Sequence, residues 1–471
     1  MSLPSNTLLI EGTFSELADE FAQYIDSLRK SNEPTTPSPA SVHADVSPGL
    51  QKLREKEADE EEPSDAEKEQ IFKQRDEVLK KLVLSAPALN SAPEKEITAA
   101  YSLLIHLIRQ SSSVDMFLPR ICTYLSKPFV SSPQHGAALA LSILSTVFNS
   151  LAPSNSVRYH VFLAILAVIR TSSSNLAWDA LKTQLANQLV GWILEWDLDE
   201  EETQKLHLAI SDAAKDAGDK EFSYTHLLAA LQAIPPADAS AQEAREIAQR
   251  ALTAALVLPS VFDFTPLTAS DAIQALRSSD ATLFELLEVF AADTLDAYED
   301  FIATTPLSSI HDLSSSADIL KTKMRLLTLA SLAASTPSRS LSYSSIVNAL
   351  RIESADVEKW VIDTIRAGLI EGKLSQLKGE FLVHRATYRV FGEKQWAEVQ
   401  GRLMVWRQSL ENVLDVVRAE REKFVREGIS GAQATAHGNA GAFEGGQGRG
   451  GDRRRGGGRG QQREMELVSA D

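Results

Sequence analysis

The sequence predicts a mostly α-helical protein: a helical-repeat solenoid, then a winged helix with a small β-hairpin wing, then one long C-terminal helix. Three patterns carry this prediction. Amphipathic helical segments follow one another from residue 65 to 334 without a convincing strand. Residues 341–385 have the pattern of helix, turn, helix and hairpin. Residues 393–426 place apolar residues at alternating steps of three and four, which keeps them on one face of a continuous helix.

The N-terminal region contains two contrasting segments. Residues 1–30 carry apolar side chains at helical spacing and are predicted to form an N-terminal helical segment. Residues 31–64 are rich in proline, serine and acids, and 11 acids face 4 bases between residues 33 and 69. Such a composition predicts an acidic disordered linker. A solvated spacer is favoured over an acidic docking segment.

Residues 65–334 are predicted to form the solenoid. Prolines separate short amphipathic segments there, and short connections between such helices imply antiparallel pairs. A long row of pairs forms a solenoid, although no strict sequence period is visible. One of the apolar stripes comprises Leu181, Leu185, Leu189, Ile193 and Trp196.

Residues 335–391 are predicted to form the winged helix. Ser342 is suited to cap its first helix, and Gly368 is suited to end the second in a left-handed conformation. Gly379 marks the turn of the hairpin that follows. Residues 341–385 contain six bases and six acids. Because DNA binding favours a basic surface, this balance favours a protein partner over a nucleic acid. The predicted contact residues of the wing are Lys373, Leu374, Phe381 and Val383.

The C-terminal helix is predicted over residues 392–427, and its apolar residues form an unbroken heptad pattern up to Glu420. A small winged domain can bury only part of so long a helix. We therefore expect its second half to join helices of other chains in a bundle. Seven residues form the apolar stripe, which we call the seam: Trp396, Val399, Leu403, Trp406, Leu410, Val413 and Val417. The predicted contact residues for partners are Trp406, Leu410, Val413 and Val417.

The tail, residues 428–471, is rich in glycine and arginine and is predicted to be disordered. Arginines among glycines offer guanidinium groups to phosphates and to unpaired bases. A solubilising tail is favoured over weak RNA contact. The arginines concerned are Arg449, Arg453, Arg454, Arg455, Arg459 and Arg463.

Composition narrows the class of protein further. The net charge of −17 weighs against nucleic acid as the main partner. Cys122 is the only cysteine, which excludes an intrachain disulfide and fits a reducing compartment. The first residues lack the pattern of a signal peptide, and the longest apolar run has only nine residues, from Val161 to Ile169. We expect a cytoplasmic protein without membrane contact.

No motif in the sequence predicts catalysis. The nine histidines form neither H-x-H nor H-E-x-x-H, and there is no G-x-S-x-G elbow. Residues 446–451 match G-x-G-x-x-G by spacing, but they follow no predicted strand and open no helix. We therefore expect no enzyme activity, no catalytic or metal site, no cofactor and no small-molecule substrate.

The order of solenoid, winged helix and long helix resembles the PCI family. The residues that carry the resemblance are "LSYSSIVNALRI" and "VEKWVIDTIRAGLIEGKLSQLKGEFLVHRATYRVF", between residues 341 and 391. The PCI domain would begin near residue 205 with the last solenoid helices. The family comprises scaffold subunits of the proteasome lid, the COP9 signalosome and translation initiation factor 3. Their winged helices pack side by side, and their last helices gather in a bundle.

Two N-terminal stretches, "LLIEGTFSELADEFAQYI" and "LLIHLIRQ", are similar to fungal subunits of translation initiation factor 3. The resemblance implies a non-catalytic scaffold that supports assembly of 43S and 48S preinitiation complexes. Its implied partners are the PCI and MPN subunits of that factor and the 40S ribosomal subunit. A scaffold subunit of the COP9 signalosome or the proteasome lid is the alternative.

Overall fold

The computed structural model describes residues 12–32, 41–57, 65–129, 131–172, 175–307, 310, 313–336, 338–390 and 393–437. The chain divides into two compact units, residues 1–390 and residues 391–471. The first unit holds the solenoid and the winged helix. The second holds the long helix.

The N-terminal region is more ordered than the sequence predicts, because a helix occupies much of the predicted acidic linker. Residues 42–57 lie in this helix, so the prediction of disorder over 31–64 was wrong there. The helix buries Val46, Leu50 and Leu53, and its Gly49 lies close to the side chain of Val78. The first four helices are α1 (Phe14–Asn32), α2 (Val42–Glu57), α3 (Asp65–Ser85) and α4 (Glu94–Arg109).

The rest of the solenoid is a succession of short helices with tight connections, as predicted. Its helices are α5 (Val114–Leu125), α6 (Gly136–Ser150), α7 (Val157–Thr171), α8 (Leu176–Glu195), α9 (Glu200–Asp216), α10 (Lys220–Gln232), α11 (Gln242–Val257), α12 (Thr265–Thr268), α13 (Asp271–Ser279), α14 (Ala281–Ala292), α15 (Leu295–Thr304) and α16 (Ala317–Ser335).

The hydrophobic core runs along the solenoid as a series of clusters. The first joins buried residues from 14 to 168, the second from 159 to 214 and the third from 224 to 327. Each helix buries its apolar stripe against its neighbours in the row, which is how repeat folds are stabilised. The first cluster includes α1 and α2 together with α3 to α7, so the N-terminal helices share a core with the solenoid.

The winged helix contains a third strand that the sequence did not predict. Its three antiparallel strands lie in the order β1-β3-β2, and β1 pairs Leu341 with Phe381. A strand of three residues is too short for its alternation to be recognised in the sequence. The elements are β1 (Ser340–Ser342), α17 (Tyr343–Leu350), α18 (Val357–Arg366), β2 (Ile370–Ser375) and β3 (Glu380–Ala386).

The described part of the second unit is one helix of 45 residues, α19 (Glu393–His437). It continues ten residues beyond the predicted end at 427. The apolar spacing stops before that point, so periodicity carried no signal for residues 428–437. The predicted arginines of the tail lie outside the described residues.

Candidate protein-interaction surfaces

Helix α16 belongs to the solenoid and to the winged helix at once. Met324 and Leu327 lie in the last cluster of the solenoid core. Leu326 and Leu329, on another face, pack with the core of the winged helix. The winged helix is therefore built directly on the end of the solenoid.

Lys323, on the same helix, fixes the end of α11. Its side chain is 2% exposed, and Nζ donates hydrogen bonds to the carbonyl oxygens of Ala255 at 2.6 Å and Leu258 at 2.7 Å. These carbonyls lie at the C-terminus of α11, where the helix itself offers them no donor. Burial lowers the pKa of Lys323 to about 7. The lysine thus ties the solenoid to the helix that supports the wing.

Arg351 makes a second connection. It ends α17 in the left-handed conformation, with φ of 51°. Its guanidinium binds Asp296 at 2.6 Å and also binds Glu299, both on α15. All three side chains are accessible to solvent, so this connection orients the winged helix more than it stabilises the protein.

Arg389 makes a third connection, just after β3. Its guanidinium donates to the carbonyl oxygens of Phe290 at 2.6 Å and Asp293 at 2.7 Å, at the end of α14. It also donates to Oγ of Ser331 at 3.1 Å. Burial lowers its pKa to about 10, which still leaves it protonated near neutral pH. The segment that follows β3 is thereby held on the solenoid.

The local signals in the winged helix are confirmed. Ser342 Oγ accepts a hydrogen bond from the backbone amide of Ser345 and so caps α17. Gly368 follows α18 with φ of 72°, and Gly379 lies between β2 and β3 with φ of 61°. Both glycines occupy the left-handed region, where a side chain would be strained.

The predicted contact residues of the wing differ in their exposure to solvent. Lys373 is exposed and Leu374 is half-buried. Phe381 and Val383 lie in the core of the winged helix, so their prediction as partner contacts was wrong. Alternation along β3 explains this result: the two residues face inward, and the residue between them faces outward. The exposed apolar residues of the hairpin are Leu377 and Leu382, which the sequence reasoning missed.

The second helix of the winged unit does not have the electrostatics of a DNA-recognition helix. Glu358 of α18 accepts hydrogen bonds from Tyr343 Oη at 3.2 Å and Gln376 Nε2 at 2.9 Å. Arg366 lies 3.4 Å from Asp363, which offsets its charge. Acids and bases alternate on this helix, so no uniformly basic face is present.

The apolar seam of α19 lies in solvent in the unit described. The side chains of Trp406, Leu410, Val413 and Val417 are 71%, 64%, 57% and 58% exposed. So long a row of exposed apolar residues marks an interaction site more often than a free surface. The seam is the largest candidate for contact with another chain.

Two further features, a metal site and a membrane-spanning helix, are absent from the part of the chain that the structure describes. There, no group of three or more His, Cys, Asp and Glu side chains could hold a metal ion. Among the same residues, no helix combines the length and apolar character needed to cross a membrane.

Comparison with known proteins identifies the family. The model of the PCI domain matches residues 298–385, which run from α15 to β3. The model described as eIF3 subunit M, C-terminal helix, matches residues 389–417, which include the whole seam. A protein of Coccidioides immitis named eukaryotic translation initiation factor 3 subunit M is 71% identical over 93% of each chain. This chain belongs to the subunit M family.

Other members of the subunit M family show the same extent of similarity. Subunit M of Aspergillus terreus is 66% identical over 92% of each chain. That of Neosartorya fischeri is 63% identical over 96% of this chain and 92% of its own. Membership confirms the predicted PCI resemblance and the likeness to the fungal form. These relatives give no support to the signalosome or proteasome alternative.

Proposed function

We propose that this chain is a non-catalytic scaffold subunit of translation initiation factor 3 that supports preinitiation complex assembly on the small ribosomal subunit. The observation that carries the proposal is the 71% identity, over 93% of both chains, to a protein named subunit M of that factor. The exposed seam of α19 supports a scaffold role, because it offers apolar surface to other chains.

The proposed contacts use two surfaces. The first is the seam, with Trp406, Leu410, Val413 and Val417 in contact with helices of other subunits. The second is the wing, where the edge strand β2 and the exposed side chains of Lys373, Leu377 and Leu382 are available to a neighbouring winged helix. Strand edges and exposed apolar side chains are the usual means of such pairing. The partners are PCI and MPN subunits and, within the complex, the 40S subunit.

The proposal places the chain in the cytoplasm and gives it no enzyme activity, cofactor or small-molecule substrate. The tail adds weak, accessory RNA contact at most, through the arginines between Arg449 and Arg463. Deleting residues 438–471 should therefore leave association with ribosomes intact. Loss of that association would make the tail, and not the folded scaffold, the part that binds.

The decisive experiment is affinity purification of the tagged full-length chain from fungal cells, followed by mass spectrometry. We expect subunits of the initiation factor together with proteins of the small ribosomal subunit. A matched strain that expresses the tag alone controls for background. Recovery of signalosome or proteasome lid subunits without initiation factor subunits would overturn the proposal.

A further inference from the structure

Between residues 400 and 423, the charged residues that flank the seam are all basic. In the heptad of α19, Trp396, Leu403, Leu410 and Val417 occupy position a, and the other seam residues occupy position d. Positions e and g border such a seam and meet the partner helix. Between residues 400 and 423 these positions hold Gln400, Arg402, Arg407, Ser409, Leu414, Val416, Arg421 and Lys423.

Between residues 400 and 423 the acids of α19 lie elsewhere on the helix. Glu411, Asp415 and Glu422 occupy positions b and f, away from the seam, and Glu420 ends it at position d. Glu393, at position e, precedes the seam, and Glu427, at position d, follows it. The whole chain carries a net charge of −17, so a basic border between residues 400 and 423 does not follow from composition. This distribution, with bases beside the seam and acids away from it, indicates the charge of the partner that covers the seam.

A second copy of this chain is a poor partner for the seam. In a parallel pair, position g contacts position e of the next heptad on the other helix, so Arg402 would face Arg407. In an antiparallel pair, g contacts g and e contacts e, so arginine would again face arginine. Like charges in these positions oppose pairing in both orientations.

We propose that the seam of α19 binds an amphipathic helix of another protein whose flanking positions carry aspartate and glutamate. This inference rests on the proposed function and names the chemistry of one partner. Apolar side chains of that helix pack against the seam, and its acids pair with Arg402 and Arg407. Beyond Glu420, Arg421 and Lys423 extend the basic border along the same face.

The contacts that these bases make within α19 do not prevent such pairing. Arg407 Nε lies 2.9 Å from Glu411, and Lys423 Nζ lies 2.7 Å from Glu420. All four side chains are more than half exposed. Because exposed ion pairs within a helix are weak and screened by salt, the bases can turn toward an acidic partner when the seam is covered.

A protein helix fits this surface better than an anionic membrane or a nucleic acid. Helices that lie on anionic membranes carry basic residues across their polar face. The polar face of α19 is not basic, because Glu411, Asp415 and Glu422 lie on it together with Arg418 and Arg426. These acids would be repelled by lipid headgroups and phosphates, whereas a helix that covers only the seam does not meet them.

The test measures the binding of two synthetic helical peptides to the full-length chain by fluorescence anisotropy. Both peptides have 28 residues with leucine at a and d, and they carry either glutamate or lysine at every e and g position. At low salt we expect the glutamate peptide to bind about tenfold more tightly, and we expect 0.5 M NaCl to reduce the difference. The double variant R402E/R407E should reverse the preference.

A matched control is R418E/R426E, which changes the net charge equally but at positions b and c. It should keep the preference for the glutamate peptide. Equal binding of both peptides, or a preference that R402E/R407E leaves unchanged, would overturn the inference. Self-association through the seam in sedimentation velocity, or displacement of the glutamate peptide by phosphatidylserine vesicles or by single-stranded RNA, would overturn it as well.

The result of the peptide-binding test can be distinguished from the result of the affinity purification that tests the proposed function. A chain that purifies with the initiation factor but shows no peptide preference refutes only the acidic partner. A chain that prefers the glutamate peptide but does not purify with initiation factor subunits refutes only the proposed function.

Discussion

The backbone amide of Val42 donates a hydrogen bond of 2.8 Å to Oδ1 of Asp26, sixteen residues earlier in the chain. Oδ2 of the same carboxylate accepts from the amide of His43 and from Oγ of Ser41. The first turn of α2 therefore receives its cap from α1. Burial would raise the pKa of Asp26, but these hydrogen bonds outweigh burial and lower it below its ordinary value.

We expect the Asp26→Ala variant to loosen α2 without unfolding the solenoid. Hydrogen bonds to a buried carboxylate are worth about 2 kcal/mol, so amides of residues 43–53 should exchange roughly thirtyfold faster. Hydrogen exchange with mass spectrometry measures this effect. Glu20→Ala removes an exposed acid from the same helix and should change nothing. Unchanged exchange in the Asp26 variant would show that α2 does not need its cap.

The failure to predict α2 has a physical explanation. Pro48 and the acids of this segment are typical of a linker, and its cap comes from a distant carboxylate that composition cannot reveal. The stripe of Val42, Val46, Leu50 and Leu53 was the available signal. Ser342 and Gly368 were predicted correctly because a cap and a left-handed residue depend on local sequence.

In the wing, too, features set by neighbouring residues could be predicted from the sequence, and features set by tertiary packing could not. The hairpin and its turn follow from local signals, but the side chains exposed on it depend on which face of the sheet meets α16. Only that packing separates the buried Phe381 from the exposed Leu382. Likewise, Trp360 has the spacing of a core residue but is half-buried, with the guanidinium of Arg325 5.2 Å from its ring centre.

We predict that Gly372→Ala destabilises the winged helix. Gly372 lies at a bulge in β2, where an added Cβ would collide with the carbonyl oxygen of Leu382 and the ring of Phe381. Because backbone must move to relieve this collision, we expect a cost of about 2–3 kcal/mol. Limited proteolysis should then cut residues 338–390 faster than in the unaltered protein.

The control for that variant is Gly191→Ala. Gly191 lies within α8, and a Cβ added there would meet nothing within 4 Å. Since alanine favours helix over glycine, this change should stabilise α8 by about 1 kcal/mol. Wild-type resistance to proteolysis in the Gly372 variant would contradict the predicted collision.

We predict that a buried histidine pair makes the solenoid less stable in mild acid. The Nδ1 atoms of His207 on α9 and His226 on α10 are 3.0 Å apart, and their rings stack. Burial, together with the charge of His207, lowers the pKa of His226 to about 4. In the unfolded chain this imidazole has a pKa near 6.5, so it takes up a proton more readily there than in the folded chain. The contribution of neutral His226 to the free energy of unfolding is therefore fully present above about pH 6.5. It decreases as the pH falls, by about 2 kcal/mol at pH 5.

The measurement is hydrogen exchange of α9 and α10 at pH 7.5 and pH 5, corrected for the intrinsic exchange rates. In the unaltered protein the free energy of opening should fall with pH, and in His226→Gln most of that fall should disappear. His384→Gln, which alters an exposed histidine of β3, should keep the full fall. An equal pH dependence in all three proteins would contradict the role of the pair.

The last prediction concerns the seam itself. Leu410 and Val413 are neighbours at positions a and d, both more than half exposed, in the range matched by the C-terminal helix of subunit M. In an assembled bundle they would be desolvated, and a buried aspartate without a partner costs several kcal/mol. Leu410→Asp with Val413→Asp should therefore release the chain from its complex while leaving the solenoid folded. Affinity purification should recover less than about a tenth of the usual partner subunits, since each 1.4 kcal/mol is a factor of ten.

The control places the same charges on the opposite side of the helix, in Asn412→Asp with Ala419→Asp, where the side chains are exposed. This variant should purify with its normal partners, because position c remains in solvent in a bundle. Circular dichroism separates release from unfolding, since both variants should keep the helical signal of the unaltered protein. If the Leu410 and Val413 variant kept all its partners, the assembly would have to depend on the wing, and Leu377→Asp with Leu382→Asp would become the variant that releases it.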